Sequence, residues 1–199
     1  MSRSTADFLR SLTSNLSSGS LFSRCVLQSV VCVLRRKLFE GSVFFRRVLV
    51  ILGACCVTSL DLYTKRLCAS MFENITEVKL LPILNFVKVH NTGMSFGLFA
   101  GYQFSNLFFL LINVPAVLVV LFLSFREKRL VACVAWSFIL GGAVANVTDR
   151  VRFGAVRDFI DFHFLDLHWP VFNVADAAIF LGVVFVLFHS TSEKVGSIN

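Results

Sequence analysis

The chain has 199 residues, of which 56% are hydrophobic and 16% charged, with 23 phenylalanines and a mean hydropathy of +0.78. This is more apolar side chain than a soluble domain of that size needs to bury, so lipid is the expected solvent. The formal charge of +7 sits largely in short stretches beside apolar runs, which reads as membrane topology and not as the single basic groove of a nucleic-acid binder.

Residues 1–47 are rich in Ser and Arg, and their longest uncharged run, Cys25 to Leu34, is too short to cross a hydrocarbon core of roughly 30 Å. They are expected to form a basic, cytoplasmic arm, interfacial or disordered. Arg35, Arg36, Lys37, Arg46 and Arg47 then precede the apolar run Val48 to Leu60, the expected first span. An outer segment, Thr64 to Ser105, contains Glu77 to Lys79 and the alternating stretch Leu84 to His90, whose period near two predicts short strands.

The second expected span, Phe104 to Phe125, is interrupted by Pro115, a break that membrane helices tolerate when neighbours satisfy the freed carbonyl. It ends at Arg126, Glu127, Lys128 and Arg129, a second basic turn that belongs on the cytoplasmic side. The third span is expected from Leu130 to Val147, a second outer segment from Thr148 to Phe172, and the fourth span from Val174 to His189. Residues 191–199 form the tail. The expected fold is therefore mainly α, a polytopic membrane protein of four transmembrane helices over 48–190 with a small outer β-rich segment and both termini cytoplasmic. No internal repeat divides it.

Six cysteines, Cys25, Cys32, Cys55, Cys56, Cys68 and Cys133, lie mostly within apolar stretches without C-x-x-C or His-rich spacing. Small buried hydrophobes are the expected role, and neither a metal nor a cofactor is implied.

Acidic groups in or beside membrane spans are costly, which draws attention to Asp61, Asp149, Asp158, Asp161 and Asp176. Asp61, Asp149 and Asp176 fall at the outer ends of the first, third and fourth spans, so they share one membrane level. The loop between the last two spans is able to bring Asp158 back against Asp176. Two carboxylates about 3 Å apart cannot both ionise, and a shared proton leaves one acid and one base. Such a pair hydrolyses an amide by activating water and protonating the leaving amine. The alternative is that each aspartate caps a helix or pairs with an arginine, as Asp149 beside Arg150 and Asp158 beside Arg157 suggest. A transporter path is a further alternative, but it calls for acids at successive depths, whereas these cluster at one interface.

Five motifs stand in order at the ends of the expected spans: Asp61-Leu-Tyr-Thr-Lys65, His90-Asn-Thr-Gly-Met-Ser-Phe-Gly97, Gly141-Gly-Ala-Val-Ala-Asn-Val-Thr-Asp-Arg150, Val156-Arg-Asp-Phe-Ile-Asp161 and Phe172-Asn-Val-Ala-Asp176. Together, over about residues 48–190, they resemble the lipoprotein signal peptidases, or signal peptidase II, membrane aspartic endopeptidases of bacteria. The resemblance implies a catalytic dyad of Asp158 and Asp176, with Asp149 as the contender. Asn146, Arg150 and Asn173 would support the dyad or substrate, and Asn91, Gly93, Asp61 and Lys65 would complete the shell. For Asp61 and Lys65 an i, i+4 ion pair is an equal reading. Gly93 is equally read as a turn residue and Asn146 as an interhelical bond.

The implied substrate is a prolipoprotein whose Cys carries a diacylglyceryl group, cut on the amino side of that Cys. Membrane lipid is the other partner, no nucleic acid is involved, and a monomer in the bacterial inner membrane with its active site on the outer face is expected. Phe96, Phe99, Trp169 and Phe172 are either groove-lining or simple interfacial anchors. Two departures from the family pattern are Ala145, where Gly is usual, and the long basic arm.

Overall fold

The computed structural model describes residues 21–72, 75–93 and 105–196, with side chains over 42–72, 75–93 and 106–188. Contacts divide the chain into Met1–Phe45 and Arg46–Asn199, and the site lies within the second unit. Residues 1–20 of the expected arm, and Phe96 and Phe99, lie outside the described residues.

The element order is α1 (Leu21–Met71), β1 (Glu77–Leu81), β2 (Leu84–Asn91), α2 (Ser105–Arg126), α3 (Leu130–Phe153), β3 (Val156–Phe164), β4 (Leu167–His168) and α4 (Val174–Gly196). Among the described residues, three helical stretches are long and apolar enough to cross a membrane: Ser42–Met71, Asn106–Arg126 and Leu130–Phe153, with mean hydropathies of 1.9, 2.7 and 2.0. The apolar part of α4, Val174–Phe188, is shorter.

Two expected spans run longer than hydropathy alone predicts. The first does not stop at Leu60, because Asp61 and Lys65 neutralise each other inside the protein and the helix continues to Met71. The third continues past Val147 to Phe153 and stops where Gly154 takes φ 72°, a left-handed cap whose N–H donates to Arg150 O. Asp149 and Arg150 therefore belong to the last turns of α3 and not to the loop beyond it.

Helix α3 is the most enclosed, with half of its apolar stretch buried. Glycine permits this on two faces. A Cβ on Gly141 would lie 2.6 Å from Ala54 O of α1, and one on Gly142 would strike Ala175 O at the first turn of α4. Thr58 Oγ1 donates to Gly141 O at 2.8 Å across the same α1–α3 contact. Ala145, one turn further, is fully buried, so its methyl is accommodated in this packing. Val50, Ala54, Cys133 and Leu140 form the helical core. Large apolar side chains such as Leu52, Leu118 and Phe188 stay exposed on α1, α2 and α4, the faces a membrane protein turns to lipid.

The strands form one antiparallel sheet in the order β1-β2-β3-β4. β2 is irregular between Phe86 and Val89 before pairing Val89 with Asp158 and Asn91 with Val156. Beneath the sheet, Cys68 and Phe72 of α1 pack against Phe159, whose ring meets Phe86 edge-on at 5.7 Å. The cysteine expectation holds for Cys68 and Cys133. Cys55 and Cys56 are instead exposed on the apolar surface of α1, where a helix that packs on one face only leaves them. The side chains of Cys25 and Cys32 lie outside the described residues.

Candidate active site

The site is assembled where the C-terminal end of α3, strand β3 and the first turn of α4 meet α1. Asp61 and Lys65 are one helical turn apart, and Lys65 Nζ lies 2.7 Å from Asp61 Oδ2. The same ammonium reaches Asp149 Oδ2 at 3.1 Å and donates to Asn146 Oδ1 at 3.1 Å. All three charged side chains are fully enclosed, so each depends on these partners for its solvation. Asp61 Oδ1 also accepts Ala175 N–H at 2.8 Å and so ties α1 to the head of α4.

Asp149 is fully enclosed and held by Arg157 as well as by Lys65. Arg157 grips it with two guanidinium nitrogens, Nη2 to Oδ1 at 2.7 Å and Nε to Oδ2 at 3.3 Å, and adds its backbone N–H to Oδ2 at 3.1 Å. The guanidinium in turn rests on the Phe153 ring. The neighbouring pairs suggested by the sequence are thus not the ones formed. Asp149 takes Arg157 and not Arg150, because successive side chains on a helix leave in different directions while the Gly154 turn folds β3 back over α3.

The other two carboxylates are held by amides. Asn173 precedes α4 as its N-cap, and Asp176 stands three residues later. Asp176 N–H donates to Asn173 Oδ1 at 2.9 Å and Asn173 N–H to Asp176 Oδ2 at 3.3 Å, a reciprocal capping box. Asn173 Nδ2 reaches Asp158 Oδ1 at 2.6 Å, so one residue touches both carboxylates. Asn146 Nδ2 donates to Asp176 Oδ1 at 2.8 Å, while Asn146 Oδ1 accepts from Asn173 Nδ2 at 3.3 Å. Asn91 Nδ2 donates to Asp158 Oδ2 at 3.0 Å, and its own Oδ1 accepts Gly93 N–H at 3.1 Å. Gly93 O is fixed by Arg150 Nη2 at 2.8 Å.

Asp158, on β3 outside the spans, is pushed up to about 6. Burial is the main cause and the negative charge of Asp176 the next, opposed by the amides of Asn91 and Asn173 and by Lys65. A carboxyl in that position exchanges its proton close to neutral pH.

The structure thus brings together Asp158, Asp176, Asn146, Asn173, Asn91, Gly93 and Arg150, with Asp61, Lys65 and Asp149 as a charged base beneath them. Asp161 stands apart. It accepts from Asn85 Nδ2 at 3.3 Å and meets His168 Nδ1 at 2.9 Å. Trp169 is exposed, and Phe172 stacks on Phe162 at 6.0 Å while its backbone pairs with Ile160. Sequence reasoning passed over Arg157 as a partner of Asp149 and passed over Asn85, His168 and Asn106 altogether. Of these only Asn106, a lone amide heading an apolar helix, left a signal in the sequence. Among the described residues no three His, Cys, Asp or Glu side chains are grouped to hold a metal ion.

Fold and site together define a helical membrane protein in which one asparagine at the head of the last helix, Asn173, is hydrogen-bonded to two buried carboxylates. Comparison with known proteins narrows the class. A family described as "Signal peptidase (SPase) II" matches residues 53–192. The lipoprotein signal peptidase of Wigglesworthia glossinidia brevipalpis is 34% identical over 143 residues, covering 70% of this chain and 90% of the relative. That of Thermodesulfovibrio yellowstonii is 37% identical over 134 residues, covering 67% and 88%. A solved bacterial membrane enzyme superposes with a TM-score of 0.65 at 28% identity over 73% of this chain and 88% of its own. The chain belongs to the signal peptidase II family and is a membrane-embedded protease.

Proposed function

We propose that this protease removes the signal peptide from prolipoproteins, cutting on the amino side of a diacylglyceryl-modified Cys with water activated between Asp158 and Asp176. The observation that carries this reading is Asn173, whose side chain and backbone bind both carboxylates at once and hold them as a pair. The pair shares one proton. Burial and the negative charge of Asp176 favour the protonated form of Asp158, which makes Asp158 the acid of the pair. Asp176, which accepts from Asn146 and from the Asn173 backbone, is the base.

The reaction then runs without a covalent intermediate. Asp176 takes a proton from water as its oxygen attacks the scissile carbonyl carbon, and Asp158 gives its proton to the carbonyl oxygen. In the tetrahedral diol that results, the proton on Asp176 passes to the nitrogen of the lipidated Cys. The C–N bond breaks, a diol hydroxyl returns its proton to Asp158, and the dyad is restored. Asn91, Gly93 and Arg150 keep the β2 end of the site in register with Asp158. Asp61, Lys65 and Asp149 fix α1, α3 and α4 relative to one another.

Basic residues support the orientation. Arg46 and Arg47 precede the first apolar stretch, and Arg126, Lys128 and Arg129 mark the α2–α3 turn, so these ends lie in the cytoplasm and the dyad faces outward. Helix α4, 23 residues or about 35 Å along its axis, is then the fourth crossing and returns the tail to the cytoplasmic side of the bacterial inner membrane. In this arrangement 48–190 is the protease domain and 1–47 an appended basic arm. A single copy supplies both carboxylates and every group bound to them, which supports a monomer.

The test is cleavage by the purified protein in detergent of a prolipoprotein peptide with and without the diacylglyceryl group. The expected product begins at the lipidated Cys, and the unmodified peptide is cut far more slowly. Cutting at another bond, or equal rates on both peptides, overturns the assignment of substrate.

A further inference from the structure

Three buried polar atoms beside the carboxylate pair have no protein partner among the described residues: Arg150 Nε, Arg150 Nη1 and Asn106 Oδ1. They share one corner. Arg150 lays its guanidinium on the Phe109 ring, 4.8 Å from the centroid, and Asn106 stands one turn before Phe109 on α2. Asn106 Nδ2 closes the corner by donating to Arg150 O at 3.3 Å. Arg150 is itself only 5% exposed, and its charge acts on both Asp158 and Asp176.

Unpaired buried donors and acceptors are unfavourable, and a binding site is one reason to keep them. Their chemistry limits what fits. Two guanidinium donors alone would suit a carboxylate or phosphate, but the lone pairs of Asn106 Oδ1 repel an anion. A neutral group that offers an acceptor and a donor side by side satisfies all three atoms. The peptide backbone is such a group.

We propose that Asn106 is a substrate-reading residue, its Oδ1 accepting a backbone N–H of the substrate next to a carbonyl taken by the free donors of Arg150. The site reads main chain and not side chain, which suits a protease whose substrates differ in sequence around the cut. This inference rests on the proteolytic function proposed above.

The test is a scan of prolipoprotein peptides, each N-methylated at one backbone amide within three residues of the scissile bond, against wild type, Asn106→Ala and Asn106→Asp. At one position methylation is expected to lower kcat/KM of the wild type roughly tenfold, the worth of one hydrogen bond, and that of Asn106→Ala less than about twofold. Asn106→Asp keeps an acceptor but loses the donor to Arg150 O. It is expected to retain the roughly tenfold methyl sensitivity, whatever its rate on the unmethylated peptide. Equal methylation penalties in wild type and Asn106→Ala overturn the inference. So does a wild type indifferent to methylation at every position, or an Asn106→Asp variant as insensitive to methylation as Asn106→Ala, which would make the bond to Arg150 O the whole role. A wild type that cuts none of these peptides, the unmethylated one included, instead refutes the proteolytic reading beneath it.

Discussion

Replacing Lys65 with Met removes the one ammonium between Asp61 and Asp149 while keeping most of the side-chain volume. Asp149 keeps three hydrogen bonds from Arg157, so it remains compensated. Asp61 does not, because only the Ala175 N–H at 2.8 Å is left to it. Stranding one buried carboxylate in this way costs about 3–5 kcal/mol. At roughly 2–4 °C per kcal/mol for a domain of this size, the thermal midpoint falls by roughly 6–20 °C. The assay is thermal unfolding in detergent followed by intrinsic tryptophan fluorescence. The double variant Asp61→Asn, Lys65→Met removes the stranded charge and is expected to recover at least half of the loss. A Lys65→Met protein within about 1 kcal/mol of wild type refutes the reasoning. So does a double variant less stable than the single.

Three further outcomes follow from the same geometry. The pKa of Asp158 is raised from 3.8 to about 6 on folding, so the folded state holds the proton more tightly, and the contribution of this group to stability is greatest below pH 4 and is lost as pH rises through about 6. The loss is up to about 3 kcal/mol, visible as a change in the pH dependence of the unfolding midpoint between wild type and Asp158→Asn. Asn173→Ala removes a helix cap worth about 1 kcal/mol, but also the link between the two carboxylates, so turnover is expected to fall at least about 100-fold while the melting temperature moves only a few degrees. Gly142→Ala drives a methyl into Ala175 O and pushes the first turn of α4 from α3, and kcat is expected to fall more than KM rises in steady-state cleavage.

Much of this was legible in the sequence because membrane helices carry strong signals. Apolar length located the helices, and the i, i+4 spacing of Asp61 and Lys65 announced their ion pair. Asn173-x-x-Asp176 likewise has the form of a capping box. Strand β3 was hidden, since Asp158 alternates with apolar residues on one side and Asp161 with Phe159 on the other, so neither side reads as cleanly polar. The partner of Asp149 was hidden for a different reason. Arg157 is eight positions away across a glycine turn, and only the left-handed backbone at Gly154 brings it back. The free polar atoms of Asn106 and Arg150 are a property of three-dimensional neighbours, which no spacing rule records.

The proposed mechanism turns on Asp158 and Asp176 acting as a pair while Asp149, the third aspartate of this cluster, serves structure alone. The most direct test is single-turnover cleavage of a diacylglyceryl-modified prolipoprotein peptide by wild type, Asp158→Asn, Asp176→Asn and Asp149→Asn, each shown to be folded. The account predicts that the first two variants lose turnover by at least about 10⁴-fold, as expected when an acid or base of a hydrolytic dyad is removed, while Asp149→Asn keeps measurable activity. Full activity in Asp158→Asn or Asp176→Asn, or complete loss only in Asp149→Asn, would contradict it.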